Sequence, residues 1–226
     1  TRSYLHELNE SQYSAVTTTE GPVLVIAGAG SGKTRVLVHR AAWLIDVEGV
    51  SQHSILAVTF TNKAAKQMEE RVDALLGEHA TQGMMIGTFH STCARILRRE
   101  AEAAGIPRDY VIFDTDDQRR LIKQALDDLN LDDKQYRPRA LHSAISNAKN
   151  ELIDYETFAA NGEGFYHEKV SDVFRLYQQR LVEASAVDFD DILKLTVELF
   201  QAFPDVLERC QKSPEVCSSP NVLLLF

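Results

Sequence analysis

Residues 27–34 read Ala-Gly-Ala-Gly-Ser-Gly-Lys-Thr, the types and spacing of a phosphate-binding loop. Glycines let a backbone wrap closely around a phosphate and adopt positive φ. Successive N–H groups then form an anion nest, and a following helix adds the positive end of its dipole. In such a loop Lys33 reaches the β and γ phosphates, and the Thr34 hydroxyl binds Mg²⁺. The first position holds Ala27 where the strict motif has glycine, a relaxed form. The chemistry is that of a nucleoside triphosphate, yet kinases, GTPases, transporters and helicases all use it.

A second acidic constellation, Val187-Asp188-Phe189-Asp190-Asp191, invites a reading as metal-binding carboxylates on a strand end. The residues before it argue otherwise. Val182-Glu183-Ala184-Ser185-Ala186-Val187 is not the apolar run such a strand needs. Asp188 reads instead as a helix N-cap, with Asp190 and Asp191 favourable in the first turn.

The elements that must position these groups follow from the apolar patterning. Val23–Ala27 is a short continuous apolar run, expected to be a buried strand, and a helix runs from Lys33 to about Asp46. Residues 55–59 form a second buried strand, and Asn62 to Leu76 a helix ended by Gly77. Residues 84–87 form a third strand, followed by a helix from Ser91 to Ala104. This alternation is that of a parallel α/β sheet. Asn9 and Gln12 mark a capped helix start near the N-terminus. From 114 to 183 the pattern is helix after helix: Asp114 to Leu129, Pro138 to Asn150, and His167 to Glu183. Another amphipathic helix runs from Asp188 to Phe203, with a short one after Pro204. Residues 212–221 are loop-like, and Val222–Phe226 is an apolar run.

Composition narrows the class. Of 226 residues, 44% are apolar, enough for a substantial core. The net charge of −9 argues against gripping nucleic acid by bulk charge, though not against a local basic groove. Cys93, Cys210 and Cys217 are too few and too scattered for a disulfide scaffold or a cysteine zinc site. No apolar run spans a membrane, and Thr-Arg-Ser-Tyr at the start carries no signal region. The expectation is a cytoplasmic protein.

Several ordered segments resemble the superfamily 1 DNA helicases of the UvrD/PcrA/Rep type, over about Leu8 to Gln211. Leu8-Asn9-Glu10-Ser11-Gln12 is similar to that family's Q motif, whose glutamine reads adenine. Gly28-Ala29-Gly30-Ser31-Gly32-Lys33-Thr34-Arg35 is similar to the family's phosphate loop, in which the last arginine stacks on adenine. Read alone, Gln12 is a capping residue and Arg35 a solvated charge. Ala57-Val58-Thr59-Phe60-Thr61-Asn62 resembles motif Ia and Gly87-Thr88-Phe89-His90-Ser91 motif Ib, both contacting single-stranded DNA. Without the resemblance, Phe60 reads as core packing and His90 as a capping or core residue.

The resemblance implies an α/β fold, a RecA-like P-loop NTPase with a parallel sheet and an inserted all-helical subdomain. The first part of that ATP-binding domain would occupy 1–105, the insertion 106–186, the return 187–211, and an atypical tail, truncated or non-native, 212–226. It implies ATP and Mg²⁺ held by Gln12, Ala27, Gly28, Ala29, Gly30, Ser31, Gly32, Lys33, Thr34 and Arg35. Lys33 and Thr34 carry the catalytic roles, and Thr34 is the metal ligand. It implies single-stranded DNA at Thr59, Phe60, Thr61, Asn62, Thr88, Phe89 and His90, and a duplex junction against the helical insertion. Over 93–187 acids outnumber bases, so duplex contact there needs a clustered face such as Arg137, Arg139 and Lys149. Relatives continue after Gln211 into an apolar strand ending in Asp-Glu; no such acids stand here. The resulting expectation is the N-terminal part of an ATP-driven 3′-to-5′ DNA helicase, inactive alone. Two other readings stay open: a self-contained P-loop kinase or nucleotidase using Asp188, Asp190 or Asp191, and a non-catalytic nucleotide- or DNA-binding module.

Overall fold

The computed structural model describes residues 3–28, 30–212 and 222–225. The chain forms two compact units, one from the described parts of 1–92 and 205–226, the other from 93–204.

The first unit is built on a small parallel sheet. β1 (Ile55–Thr59) lies between β2 (Met85–Thr88) and β5 (Val222–Leu225). Its register sets Ala57 opposite Ile86 and Leu224, and Thr59 opposite Thr88. Helices α1 (Glu10–Thr17), α2 (Lys33–Asp46) and α3 (Asn62–Leu76) belong to the same unit. Val38, Leu44, Ile55, Met68, Val72 and Ile86 share one buried cluster, joining α2 and α3 to both strands. A second cluster sets Val16 of α1 against Val36 and Ala42 of α2. α3 starts on the Thr61 hydroxyl, which accepts from the Ala64 N–H, and ends at Gly77 with φ 110°. Only glycine takes that conformation without steric cost, so the helix stops where the sequence says it should.

One expectation changes here. Val23–Ala27 is not a buried strand: residues 22–28 form no strand, and Leu24 and Ile26 are 85% and 89% exposed. A strand has two edges, and both edges of β1 are filled, by β2 and β5. None of the described strands pairs with residues 23–27, so this run has no ladder to hold it extended. The apolar run at the other end supplies what that segment does not. Residues 222–225 enter the sheet in parallel register with β1. The loop-like stretch 213–221 that precedes them lies outside the described residues, as do Thr1, Arg2, Ala29 and Phe226.

The second unit is largely helical. α4 (Phe89–Arg99) leads into it, starting earlier and ending sooner than the sequence pattern suggests. A two-residue parallel pair, β3 (Val111–Ile112) with β4 (Ala186–Val187), brings the two ends of the helical block together. Between them lie α5 (Thr115–Asp128), α6 (Pro138–Asn150), α7 (Tyr155–Ala160) and α8 (Phe165–Glu183). α9 (Phe189–Ala202) also belongs to this unit, and α10 (Pro204–Lys212) follows. Ile122, Leu126, Leu141, Ile145, Phe174 and Leu181 are all buried in one core. The caps are strong: Asp114 forms a box with Asp117, Pro138 opens α6, Asp154 caps α7, and Asp188 forms a box with Asp191.

Candidate nucleotide and DNA site

The phosphate-type loop runs into the N-terminus of α2. Gly30 and Gly32 have φ of 76° and 87°, and Gly32 is the N-cap residue. Ser31 ties the turn, its hydroxyl donating to the Gly28 carbonyl at 2.7 Å. The Lys33 ammonium folds back over the loop, donating to the carbonyls of Ala27 at 2.9 Å and Gly28 at 2.8 Å. Both partners are neutral and the ammonium is exposed, so an anion can replace them without breaking an ion pair. Helix dipole and Lys33 charge add at one point, which suits a phosphate. Thr34 is half-buried in the first turn of α2.

Gln12 is fixed against this loop. Asn9 and Gln12 form a reciprocal capping box, with bonds of 2.9 and 3.1 Å. The Gln12 amide nitrogen also donates to the Ser31 carbonyl at 3.0 Å. The capping reading and the loop-proximal reading therefore both hold. One amide N–H and one lone pair of the amide oxygen remain uncommitted, the complement of the acceptor and donor on an adenine edge. Arg35, exposed on α2, donates to the Glu7 carbonyl at 3.4 Å.

This arrangement makes Gly32 the most sensitive of the loop glycines. A Cβ there would lie 2.8 Å from the Gln12 amide nitrogen, whereas a Cβ at Gly30 meets nothing within 4 Å. Gly30→Ala carries only the left-handed backbone cost, about 1–2 kcal/mol. Gly32→Ala carries the same cost and also displaces Gln12. Titration with ATP should therefore show the larger loss of affinity for Gly32→Ala, and equal losses would contradict the role of that contact.

The second group of residues sits at the C-terminal ends of the paired strands β1 and β2, the edge where parallel α/β sheets receive ligands. Phe60 follows β1 and is 77% exposed, so it is not core packing. Phe89 opens α4 and is 44% exposed. Their ring centroids lie 6.4 Å apart at 55°, an open aromatic pair. Asn62 is exposed beside them in sequence, and the Thr61 hydroxyl caps α3. Thr88 and Ser91 cap one another: the Ser91 hydroxyl accepts from the Thr88 N–H at 2.9 Å, and the Thr88 hydroxyl from the Ser91 N–H at 3.2 Å. His90 is half-buried. Thr59 differs from the others: it is 1% exposed, and its hydroxyl donates to the Thr61 carbonyl at 3.0 Å. Its side chain holds the turn that presents Phe60 rather than facing outward.

Two of the three acids at 188–191 are committed elsewhere. Lys149 is 2% exposed, 2.6 Å from Asp188 and 2.8 Å from Asp191. The Tyr177 hydroxyl donates to Asp188 at 2.7 Å, and the ammonium lies 5.1 Å from the Tyr177 ring centre. Burial, reinforced by Asp188, pushes the Tyr177 phenol far above its usual range. Asp188 is thus an N-cap and a buried ion-pair partner, and Asp191 is bound to the same lysine. This removes Lys149 from the exposed basic face expected at 137–149; Arg137 and Arg139 are exposed. Among the described residues no group of His, Cys, Asp and Glu is arranged to hold a metal ion. Gly30 and Gly32 at positive φ, the α2 N-terminus and the exposed Lys33 suit a phosphate chain, and the Thr34 hydroxyl would hold a magnesium ion carried in by it.

Sequence reasoning missed two of these features. Arg40 is buried, and its guanidinium donates to the carbonyls of Ala15 and Thr18 at the end of α1. A charge four residues after Val36, on the buried side of α2, was the available signal. The buried Lys149 left none, since a lysine in a helix pattern reads as solvated.

Comparison with known proteins follows the same lines. Residues 8–216 match the model of the UvrD/REP helicase N-terminal domain. The chain is 48% identical over 208 residues to the ATP-dependent DNA helicase PcrA of Leuconostoc citreum, and 49% over 208 residues to that of Bacillus subtilis (strain 168). The PcrA protein of Staphylococcus epidermidis is 49% identical over 204 residues. These alignments cover 90–92% of this chain but 28% of each relative, so the chain spans little more than a quarter of their length. No helix among the described residues is long and apolar enough to cross a membrane. The chain belongs to the UvrD/REP helicase N-terminal domain family.

Proposed function

We propose that this chain is the ATP- and single-strand-binding N-terminal part of an ATP-dependent 3′-to-5′ DNA helicase or translocase, acting in the cytoplasm. The first unit is read as the RecA-like P-loop part, with the helical unit inserted in it. The observation that carries the reading is the Gln12 amide bonded to Ser31 beside the Lys33 loop. It ties a base-reading group to a phosphate cradle. In this reading Lys33 binds the β and γ phosphates, the loop N–H groups from 28 to 34 hold the remainder, and Gln12 and Arg35 take the adenine. Magnesium, if held at Thr34, would screen the charge of the bound phosphates. Phe60 and Phe89 supply faces on which bases stack, while Thr61, Asn62, Thr88 and His90 contact the DNA backbone. Arg137 and Arg139, exposed at the start of α6, are offered to a duplex junction.

Binding is expected without turnover. Hydrolysis needs a carboxylate that positions magnesium and the attacking water. Asp188 and Asp191 are bound to Lys149, which argues against the kinase reading at those two acids. After Gln211 the sequence holds one acid, Glu215, and no Asp-Glu pair. The test is Mg²⁺-ATP binding and hydrolysis by this chain, with and without single-stranded DNA, beside Lys33→Ala. The expected result is ATP binding that Lys33→Ala weakens by at least tenfold, with hydrolysis at the level of that variant. Turnover that Lys33→Ala abolishes would overturn the inactive-part reading; absence of ATP binding would overturn the nucleotide site itself.

A further inference from the structure

We infer that Arg40 is a positioning residue for nucleotide-base recognition, acting through helix α1. The inference rests on the reading of Gln12 given above and extends it to a residue that touches no nucleotide.

α1 has eight residues, about two turns, too short to be stable on its own. Its place is set by what holds it. At its N-terminus Asn9 and Gln12 close the capping box, and Gln12 reaches the loop at Ser31. The Ser14 carbonyl accepts from Thr18, and the carbonyls beyond it lack partners within the helix. Arg40 supplies them: one guanidinium nitrogen donates to the Ala15 carbonyl at 2.8 Å and to the Thr18 carbonyl. Arg40 is 8% exposed, and these two carbonyls are its hydrogen-bond partners among the described residues. A buried cation therefore sits against the negative end of the α1 dipole, a charge-assisted clamp. Val16, packed with Val36 and Ala42, fills the space between the helices.

The consequence is a fixed triangle. α2 carries Lys33 and Thr34 in its first turn and Arg40 in its second. Lys33 addresses the phosphates; Arg40 sets where α1 stands, and α1 sets where the Gln12 amide stands. One rigid helix thus fixes the distance between phosphate cradle and base reader. Loss of Arg40 frees the C-terminal end of α1 while the loop and Lys33 keep their own bonds. The base reading should loosen and the phosphate site should stay.

The experiment compares equilibrium binding of ATP, GTP and inorganic tripolyphosphate, all with Mg²⁺, by this chain and three variants. Gln12→Ala should lower the preference for ATP over GTP by about tenfold, the scale of one well-made hydrogen-bonding group. Arg40→Met, which keeps an unbranched apolar stem but loses the guanidinium, should lower the same preference by roughly three- to tenfold. Its tripolyphosphate affinity should stay within about twofold of the unmodified chain. Arg40→Lys, which keeps the charge and a donor, should recover part of the preference. Three outcomes overturn the inference. If the preference falls in Gln12→Ala but survives in Arg40→Met, Arg40 does not position Gln12. If Arg40→Met loses tripolyphosphate in step with ATP, Arg40 is a prop of the whole unit and not a positioning residue. If the unmodified chain prefers neither nucleotide, or Gln12→Ala changes nothing, the base reading fails and this inference falls with it.

Discussion

Lys149→Met should destabilise the helical unit by about 3–5 kcal/mol, the cost of leaving buried carboxylates without their cation. Lys149, Asp188 and Asp191 are 2%, 1% and 3% exposed, so water does not take the place of the missing ammonium. The loss should appear as a lower urea midpoint in far-UV circular dichroism and as faster amide exchange in α6, α8 and α9. Its pH dependence has a definite sign. Burial pushes the Asp191 carboxyl above its usual range, the Lys149 ammonium pulls it back, and Asp188 adds to the upward push. A carboxyl raised in the folded state binds protons more tightly folded than unfolded, so stability increases as pH falls through its folded value. Removing Lys149 raises that value further. The deficit of Lys149→Met should therefore be full near neutral pH and shrink as pH falls toward the acid range. A deficit that is small at neutral pH, or that grows on acidification, would contradict the buried pairing.

Phe60→Ala and Phe89→Ala should each weaken binding of a single-stranded oligonucleotide by about 1–3 kcal/mol, roughly five- to 150-fold. The magnitude follows from exposure. A ring 77% exposed contributes little to the core, so its removal costs stability little and leaves the stacking face missing. The rings touch as a pair, so the double variant should fall short of the sum of the single losses. Anisotropy of a labelled oligonucleotide, at one stated salt concentration, measures this directly. Lys33→Ala should leave it unchanged in the absence of nucleotide. Single variants that bind as tightly as the original chain would remove the aromatic pair from the DNA surface.

Much of the local structure was written in residue types. The helix over Lys33–Asp46 follows from a glycine-rich start and an apolar stripe, and the one over Asn62–Leu76 from Thr61 and Gly77. Asp188 was legible as an N-cap, because a short acid at a helix start with another acid three residues on has a local partner in its own backbone. The glycine-rich turn before α2 was legible for the same reason, since the bond of Ser31 to Gly28 that ties it is local. α7 was missed although Asp154 marks it, because six residues give too little periodicity. β3 and β4 were missed because two residues carry no alternation.

The sequence by itself determined the longer helices, most of their caps and the order of chemical groups along the chain. These are set within a few residues by sterics and hydrogen bonding. Tertiary structure alone decided which apolar run joined β1: Val222–Leu225 pairs with it, and Val23–Ala27 does not. It alone turned Lys149 inward to Asp188 and Asp191, exposed Phe60, and set Arg40 against the end of α1. Strand pairing and burial depend on which distant segments arrive as neighbours, and single-chain patterning does not encode that arrival.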